Sequence, residues 1–165
     1  MSLETLIRAM PKVELHVHLE GSIRPATLLE LARRNQVALP AATLDELREY
    51  YRFTDFAHFI KVYGVIIQCL QTPDDFRLIT EEFGATMADQ NIRYAEITWS
   101  PISHVRRTGF NFAELLAGVN QGRKSALERY GVDMRWITDI VRNVYGRIET
   151  GMQTAEMAVF GRDPG

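Results

Sequence analysis

Two histidines near the N-terminus, His16 and His18, are separated by one residue in a segment whose pattern predicts a β-strand. Side chains alternate between the two faces of a strand, so both imidazoles are expected on the same side. Neutral imidazole is a common zinc ligand, and a catalytic zinc usually has three protein ligands and one open position. The pair could therefore supply part of a metal site that needs at least one further ligand. The alternative is a strand with one polar face and no metal.

The segment around these histidines is PKVELHVHLEGSIRP at positions 11–25, and it resembles the first strand and turn of the adenosine and adenine deaminase family, the zinc-dependent aminohydrolases of 6-aminopurines. Two further segments resemble the same family. FTDFAHFIK at 53–61 is similar to its helix over the substrate pocket, and YAEITWSP at 94–101 is similar to its second barrel strand. The resemblance implies a metal-dependent (β/α)8 barrel with one zinc ion per complete site, bound in part by His16 and His18.

The resemblance also implies substrate-binding roles for Glu20 and Phe56. Typical adenosine deaminases have a ribose-binding aspartate at the position of Glu20, whereas relatives that deaminate adenine or aminodeoxyfutalosine commonly have glutamate. Strand alternation would direct Glu20 toward the histidines at the C-terminal mouth of the barrel, and a solvated carboxylate beside a turn is the alternative. Phe56 could stack on a purine or exclude water, or it could belong to the core. Phe59 and Tyr63 are interpreted as packing residues.

Chain length limits what these 165 residues can do alone. A complete (β/α)8 barrel needs ~250 residues, so the implied fold cannot close within this chain. The resemblance implies that the third zinc-binding histidine, the proton-shuttling glutamate, the base-orienting histidine and the zinc-binding aspartate lie beyond Gly165. We interpret residues 1–165 as the N-terminal part of a single (β/α)8 deaminase domain. We expect no catalytic residue in this chain, and no activity from the chain alone.

Three other side chains could contribute to chemistry but have ordinary explanations. His58 is expected to be exposed to solvent. His104 follows the second strand, in a loop at the expected mouth of the barrel, where it could contact a substrate. Arg142, at the end of the third strand, could meet a polar substrate group or form an ion pair with Glu96 or Asp139.

Composition favours a globular protein that acts on small molecules. Hydrophobic residues make up 46% of the chain and aromatic residues 10%, which is sufficient for a core. The net charge of −2 gives no electrostatic basis for binding nucleic acid. No segment approaches the ~20 apolar residues of a membrane span, so we expect a soluble, cytoplasmic protein. Cys69 is the only cysteine, which excludes an internal disulfide, and it is expected to be a buried thiol.

Strands and helices alternate along the chain, as is typical of an α/β protein. Strands are expected at Val13–Leu19, Ile92–Trp99 and Val132–Val141, as adjacent parallel strands in sequential order. Helices are predicted to begin near Pro25 with Ser22 or a neighbour as cap, at the capping box of Thr43, at Phe53 with an apolar face through Leu70, at Thr72, at Asn111 with its end at Gly131, and over Glu149–Phe160. A fourth strand is expected to begin at residues 163–165.

Three functions follow from these observations. The first is hydrolytic deamination of a 6-aminopurine, with adenosine as first choice and adenine or aminodeoxyfutalosine as alternatives. The second is a metal-dependent phosphoesterase of the PHP type, whose barrels also begin with a His-X-His strand. That class typically has Ser or Thr directly after the second histidine, where this chain has Leu19. The third is an inactive half-barrel that self-associates or acts only with a companion C-terminal chain.

Overall fold

The computed structural model describes residues 2–141 and 147–162, and it contains a sheet of three parallel strands. The strands are β1 (Lys12–His18), β2 (Ile92–Trp99) and β3 (Asp133–Thr138), and they lie side by side in sequence order. The predicted parallel and sequential order is confirmed. This is the arrangement of successive β/α units in a (β/α)8 barrel.

Two of the strands end earlier than the sequence pattern predicts. β1 ends at His18 because Leu19 adopts a helical backbone conformation, with φ −55° and ψ −48°. β3 ends at Thr138, whose partner in the ladder is Trp99, the last residue of β2. Since β2 offers no further partner, the prediction that the third strand continues to Val141 is wrong.

Helices connect and flank the strands. They are α1 (Leu3–Ala9), α2 (Pro25–Arg34), α3 (Leu44–Tyr50), α4 (Phe56–Cys69), α5 (Pro73–Asp89), α6 (Pro101–Thr108), α7 (Phe112–Tyr130) and α8 (Arg147–Phe160), with a short 3₁₀ helix at Glu20–Ser22. Neither α1 nor α6 is predicted from the sequence.

Local capping signals set several helix boundaries. Thr43, Thr72 and Asn111 each form a capping box, in which the cap side chain and an acidic side chain in the first turn exchange hydrogen bonds with backbone N–H groups. α7 ends at Gly131 with φ +67°, a left-handed conformation that glycine adopts without strain. These features confirm the predicted starts of α3, α5 and α7 and the predicted end of α7.

α2 begins at Pro25 as predicted, but its cap and the predicted start of α4 need correction. Ser22 does not cap α2, because its hydroxyl donates to the Leu19 carbonyl at 2.7 Å and the N-cap residue is Arg24. α4 begins at Phe56 and not at Phe53. Its N-cap is Asp55, whose carboxylate accepts the His58 backbone N–H at 2.7 Å.

The buried face of α4 also differs from the predicted one. The predicted apolar stripe includes Phe56 and Ile60, but their exposed fractions are 76% and 50%. The helix instead buries Val62, Ile66 and Cys69, of which the first two are predicted only to widen the apolar face. Because α4 is apolar on more than one side, periodicity alone cannot select the side that faces the core. The prediction that Cys69 is a buried thiol is confirmed.

The two faces of the sheet differ in burial. Ala95, Ile97 and Trp99 alternate along β2 and are fully buried on one face. On the opposite face, His18 pairs with Thr98 of β2, and Thr98 pairs with the exposed Ile137 of β3. Neighbouring residues of paired strands point to the same side of a sheet. The second histidine of the pair therefore projects from the more open face.

Within residues 2–141 and 147–162, no helix combines the length and apolar character needed to cross a lipid bilayer. The cytoplasmic location stays a prediction. The expected start of a fourth strand, at residues 163–165, lies outside the described residues.

Candidate active site

The structure brings His16 and His18 together at the C-terminal end of β1. Their ring centroids are 5.6 Å apart, with 60° between the ring planes. The ladder with β2 is irregular between Glu14 and Val17, so the strand has a bulge where His16 lies. His16 is exposed and His18 is half-buried. Both imidazoles are therefore accessible from the open face of the sheet.

Two neighbouring imidazoles are a donor set that suits zinc. In the described part of the chain, no group of three or more His, Cys, Asp or Glu side chains is arranged to hold a metal ion. The histidine pair is thus an incomplete ligand set. Any metal ion bound here needs a further ligand from residues other than those described.

Tyr63 of α4 lies beside the histidine pair. Its ring centroid is 6.5 Å from that of His18, with the two ring planes almost perpendicular at 88°. Gly21 lies between them, because a Cβ atom on this glycine would be 3.8 Å from both His18 Cβ and Tyr63 Cε2. The sequence identifies Tyr63 only as a packing residue. Tyr63 lies seven residues after Phe56, so its hydroxyl lies on the same side of the helix. This spacing is the sequence signal that could have indicated a role for Tyr63 at the site.

Glu20 is fully buried and accepts hydrogen bonds from three other elements. Its Oε2 accepts the Tyr63 hydroxyl at 3.2 Å, and its Oε1 accepts the Ser100 backbone N–H at 3.2 Å and the His104 Nε2–H at 2.9 Å. Burial raises the pKa of the Glu20 carboxyl, but the hydrogen bond and charge of His104 and the backbone donors outweigh it, so the pKa lies below its usual value. Glu20 is therefore an ionised, buried carboxylate, and the solvated alternative is wrong.

The hydrogen bonds continue from Glu20 along the C-terminal ends of all three strands. Ser100 Oγ, directly after β2, donates to Asp139 Oδ2, directly after β3, at 3.2 Å. The Asp139 backbone N–H donates to the Trp99 carbonyl at 3.0 Å.

Burial raises the pKa of the Tyr63 phenol, and the hydrogen bond to Glu20 and the charges of Glu20 and Asp139 add to that increase. Tyr63 is therefore a neutral donor at physiological pH.

His104 occupies a different position from the predicted one. It belongs to α6 and not to a loop, and its imidazole is fully buried between Glu20 and the ring of Phe76, 4.7 Å away by ring centroids. α6 begins at Pro101 because proline in the first turn requires no backbone N–H. His104 is thus part of the support behind Glu20.

His58 and Arg142 complete the set of predicted candidates. His58 is half-buried and not exposed, since its ring lies edge-on to Tyr50 and Phe53 at centroid distances of 5.4 and 6.4 Å. Its Nδ1 accepts a hydrogen bond from the Thr54 backbone N–H at 3.4 Å. Arg142 lies outside the described residues.

Phe56 is connected to the histidines through a row of aromatic rings. Its ring stacks on Phe59 at 6.0 Å, and the Phe59 ring is 6.0 Å from that of Tyr63, which contacts His18. The row leads along α4 from an exposed end at Phe56 to the half-buried imidazole. It forms an apolar wall on one side of the histidine pair.

Successive β/α units with two histidines at the end of the first strand are typical of barrels of the metal-dependent hydrolase class. The family model for adenosine deaminase matches residues 11–165, and the chain belongs to the adenosine deaminase family. Membership of this family leaves the phosphoesterase alternative without support.

Similar proteins agree with this assignment. Aminodeoxyfutalosine deaminase of Streptomyces avermitilis is 40% identical over 157 residues, which are 95% of this chain and 42% of that protein. Adenine deaminase of Sphingopyxis alaskensis is 36% identical over 138 residues, 84% of this chain and 40% of that protein.

Solved structures show the same relationship. The crystal structure of adenine deaminase from Arthrobacter aurescens has a TM-score of 0.82 at 31% identity, with 92% of this chain and 46% of that chain covered. An amidohydrolase from Burkholderia ambifaria with bound Zn has a TM-score of 0.83 at 28% identity, with 99% and 45% covered. These neighbours are barrels, and the three strands described above are part of such a barrel. The chain spans less than half the length of these relatives.

Proposed function

We propose that residues 1–165 are the N-terminal part of one (β/α)8 domain, whose complete form removes the 6-amino group of a purine as ammonia by hydrolysis. The observation that carries this proposal is the pair of adjacent imidazoles at the C-terminal end of β1, where active sites of such barrels lie, in a chain of the deaminase family. The remaining strands would come from a further segment or from a companion chain.

In this proposal, His16 and His18 provide two ligands of one zinc ion. Zinc, when bound, acidifies water and so supplies a nucleophile at neutral pH. The row of aromatic rings from Phe56 to Tyr63 excludes solvent from one side of the site and offers a flat apolar surface to a purine. Phe56 stays a predicted substrate-binding residue, and the groups that move protons would lie in the remainder of the barrel.

For the substrate, we propose aminodeoxyfutalosine first and adenine second, ahead of the adenosine first chosen from the sequence. Relatives named for these two substrates are 40% and 36% identical to this chain. Glutamate at position 20 agrees with that choice, since the resemblance described above links this residue type to the same two substrates.

The test uses the protein completed to barrel length and loaded with zinc. Aminodeoxyfutalosine, adenosine and adenine are offered side by side, and the ultraviolet absorbance change on conversion to the 6-oxo product is followed. We expect turnover of at least one substrate, and its loss in His16→Ala and His18→Ala because each removes a metal ligand. His58→Ala is the matched control, since it removes a histidine of α4 that lies against Tyr50 and Phe53, and it should retain activity. Failure to deaminate any of the three substrates refutes the proposed function.

A further inference from the structure

We propose that Glu20 is a positioning residue that acts on the histidine pair through Tyr63 and does not touch the substrate. This inference rests on the proposed function, because it assigns Glu20 a role in a metal site formed by His16 and His18. It replaces the direct substrate contact that the sequence predicts for this glutamate.

The first observation is that the carboxylate is already occupied by protein donors. The three groups that donate to Glu20 belong to Tyr63, Ser100 and His104, and they come from α4, the end of β2 and α6. A carboxylate has about four acceptor positions, so three of them are used within the protein. Turning toward a substrate would leave buried donors without an acceptor, which is costly.

The second observation is a continuous path from the carboxylate to the metal-binding imidazole. Glu20 fixes the Tyr63 hydroxyl at 3.2 Å, and the Tyr63 ring stands at 88° to the ring of His18 across the backbone of Gly21. Histidines that bind metals are usually oriented by neighbouring groups, and loss of such a group typically lowers metal affinity or activity. Tyr63 is placed to limit rotation of the His18 ring.

The third observation concerns the length of the side chain. Glu20 lies in the 3₁₀ helix after β1, yet it reaches both His104 of α6 and the backbone of Ser100. An aspartate at the same backbone position would be one methylene shorter and would have less reach toward these three donors. The glutamate therefore joins the end of β1, which carries the histidines, to the end of β2.

The experiment compares four variants of the completed, zinc-loaded protein: Glu20→Ala, Glu20→Gln, Tyr63→Phe and the matched control Glu96→Gln. Glu96 also accepts a tyrosine hydroxyl, from Tyr94 at 3.1 Å, but it belongs to β2, and among the described residues no hydrogen bond joins it to His16, His18 or Tyr63. Zinc affinity is measured by competition with a chelator, and kcat and KM are measured with the substrate that the unaltered protein turns over.

For a positioning residue, Glu20→Ala should lower zinc affinity and kcat by ~10–100-fold while KM changes little. Tyr63→Phe keeps the ring and loses its tether, so its effect should have the same pattern and be smaller. Glu20→Gln should recover most of the loss, because its amide oxygen can still accept from Ser100 and the Tyr63 hydroxyl can rotate to accept from its NH₂ group. Glu96→Gln should be unchanged in both measurements.

A KM increase of about tenfold in Tyr63→Phe or the Glu20 variants with unchanged zinc affinity would overturn the inference, since it indicates direct substrate contact. So would a fall in melting temperature without any change in zinc affinity or kcat, because Glu20 would then be only a structural residue. The zinc measurement does not depend on turnover. If the completed protein binds zinc but deaminates none of the three substrates, weaker zinc binding in Tyr63→Phe than in Glu96→Gln still supports the positioning role, and equal binding refutes it.

Discussion

Close packing of α5 against α7 makes Gly118→Ala a sensitive test of the fold. A Cβ atom on Gly118 would lie 2.2 Å from the carbonyl oxygen and 2.9 Å from the carbonyl carbon of Pro73, at the start of α5. Two further glycines contribute to the same contact, since a Cβ on Gly84 would lie 2.4 Å from Ala126 Cβ and one on Gly122 would lie 2.6 Å from the Arg77 carbonyl oxygen. The two helices are therefore in close contact at these glycines, where no side chain separates them.

The expected magnitude follows from two opposing effects. Alanine in a helix interior is favoured over glycine by about 0.5–1 kcal/mol. Overpacking a tight contact costs about 1–3 kcal/mol or more, and here the opposing atoms are backbone, which cannot move aside as a flexible side chain can. This contact therefore lies at the upper end, about 3 kcal/mol, and after the gain in helix propensity is subtracted we expect Gly118→Ala to lower the free energy of unfolding by about 2–2.5 kcal/mol.

Urea unfolding of the completed protein, followed by circular dichroism, measures this change. Gly64→Ala is the matched control, because Gly64 also lies within a helix but a Cβ there would have no heavy atom within 4 Å. This control should raise the free energy of unfolding by about 0.5–1 kcal/mol. If the two substitutions shift the urea midpoint equally and in the same direction, the close approach of α5 and α7 is not as described.

Three other predictions concern the site and the isolated chain. Burial raises the pKa of the Cys69 thiol to about 11. At pH 8, iodoacetamide should therefore modify this thiol in the folded protein on the order of 100-fold more slowly than in the urea-unfolded protein, and equal rates would contradict its burial. Phe56→Ala should raise KM about tenfold, as expected for the loss of one base–aromatic stack, without lowering the melting temperature, because this side chain is 76% exposed. The 165-residue chain alone should sediment as oligomers, since β1 and β3 are open strand edges and large apolar side chains such as Leu15 are exposed; a stable monomer would argue against this.

Features with a local origin could be predicted from the sequence. The capping boxes at Thr43, Thr72 and Asn111 involve residues only three apart, and the order of the strands follows from right-handed crossovers between parallel strands. The placement of His16 and His18 on one strand, two residues apart, belongs to the same category. In each case the deciding interaction lies within one element or between consecutive ones.

The surroundings of Glu20 could not be predicted in this way. Its partners Ser100 and His104 are 80 and 84 residues away in the sequence, so no local pattern brings them together. The same reason explains the error for α4. Phe56 and Val62 are similar in hydrophobicity, and only the tertiary packing decides that the second is buried and the first exposed.

The part of the site carried by this chain is assembled by interactions within the chain itself. The hydrogen bonds that link the ends of the three strands run from Glu20 to Ser100 and on to Asp139, all within the described residues. They join the end of β1 to the ends of the two neighbouring strands. A histidine pair alone binds zinc weakly, because a stable site needs at least a third ligand. Closing the barrel would therefore add ligands to a prearranged pair, and the step that completes the site is the same step that covers the open face of the sheet.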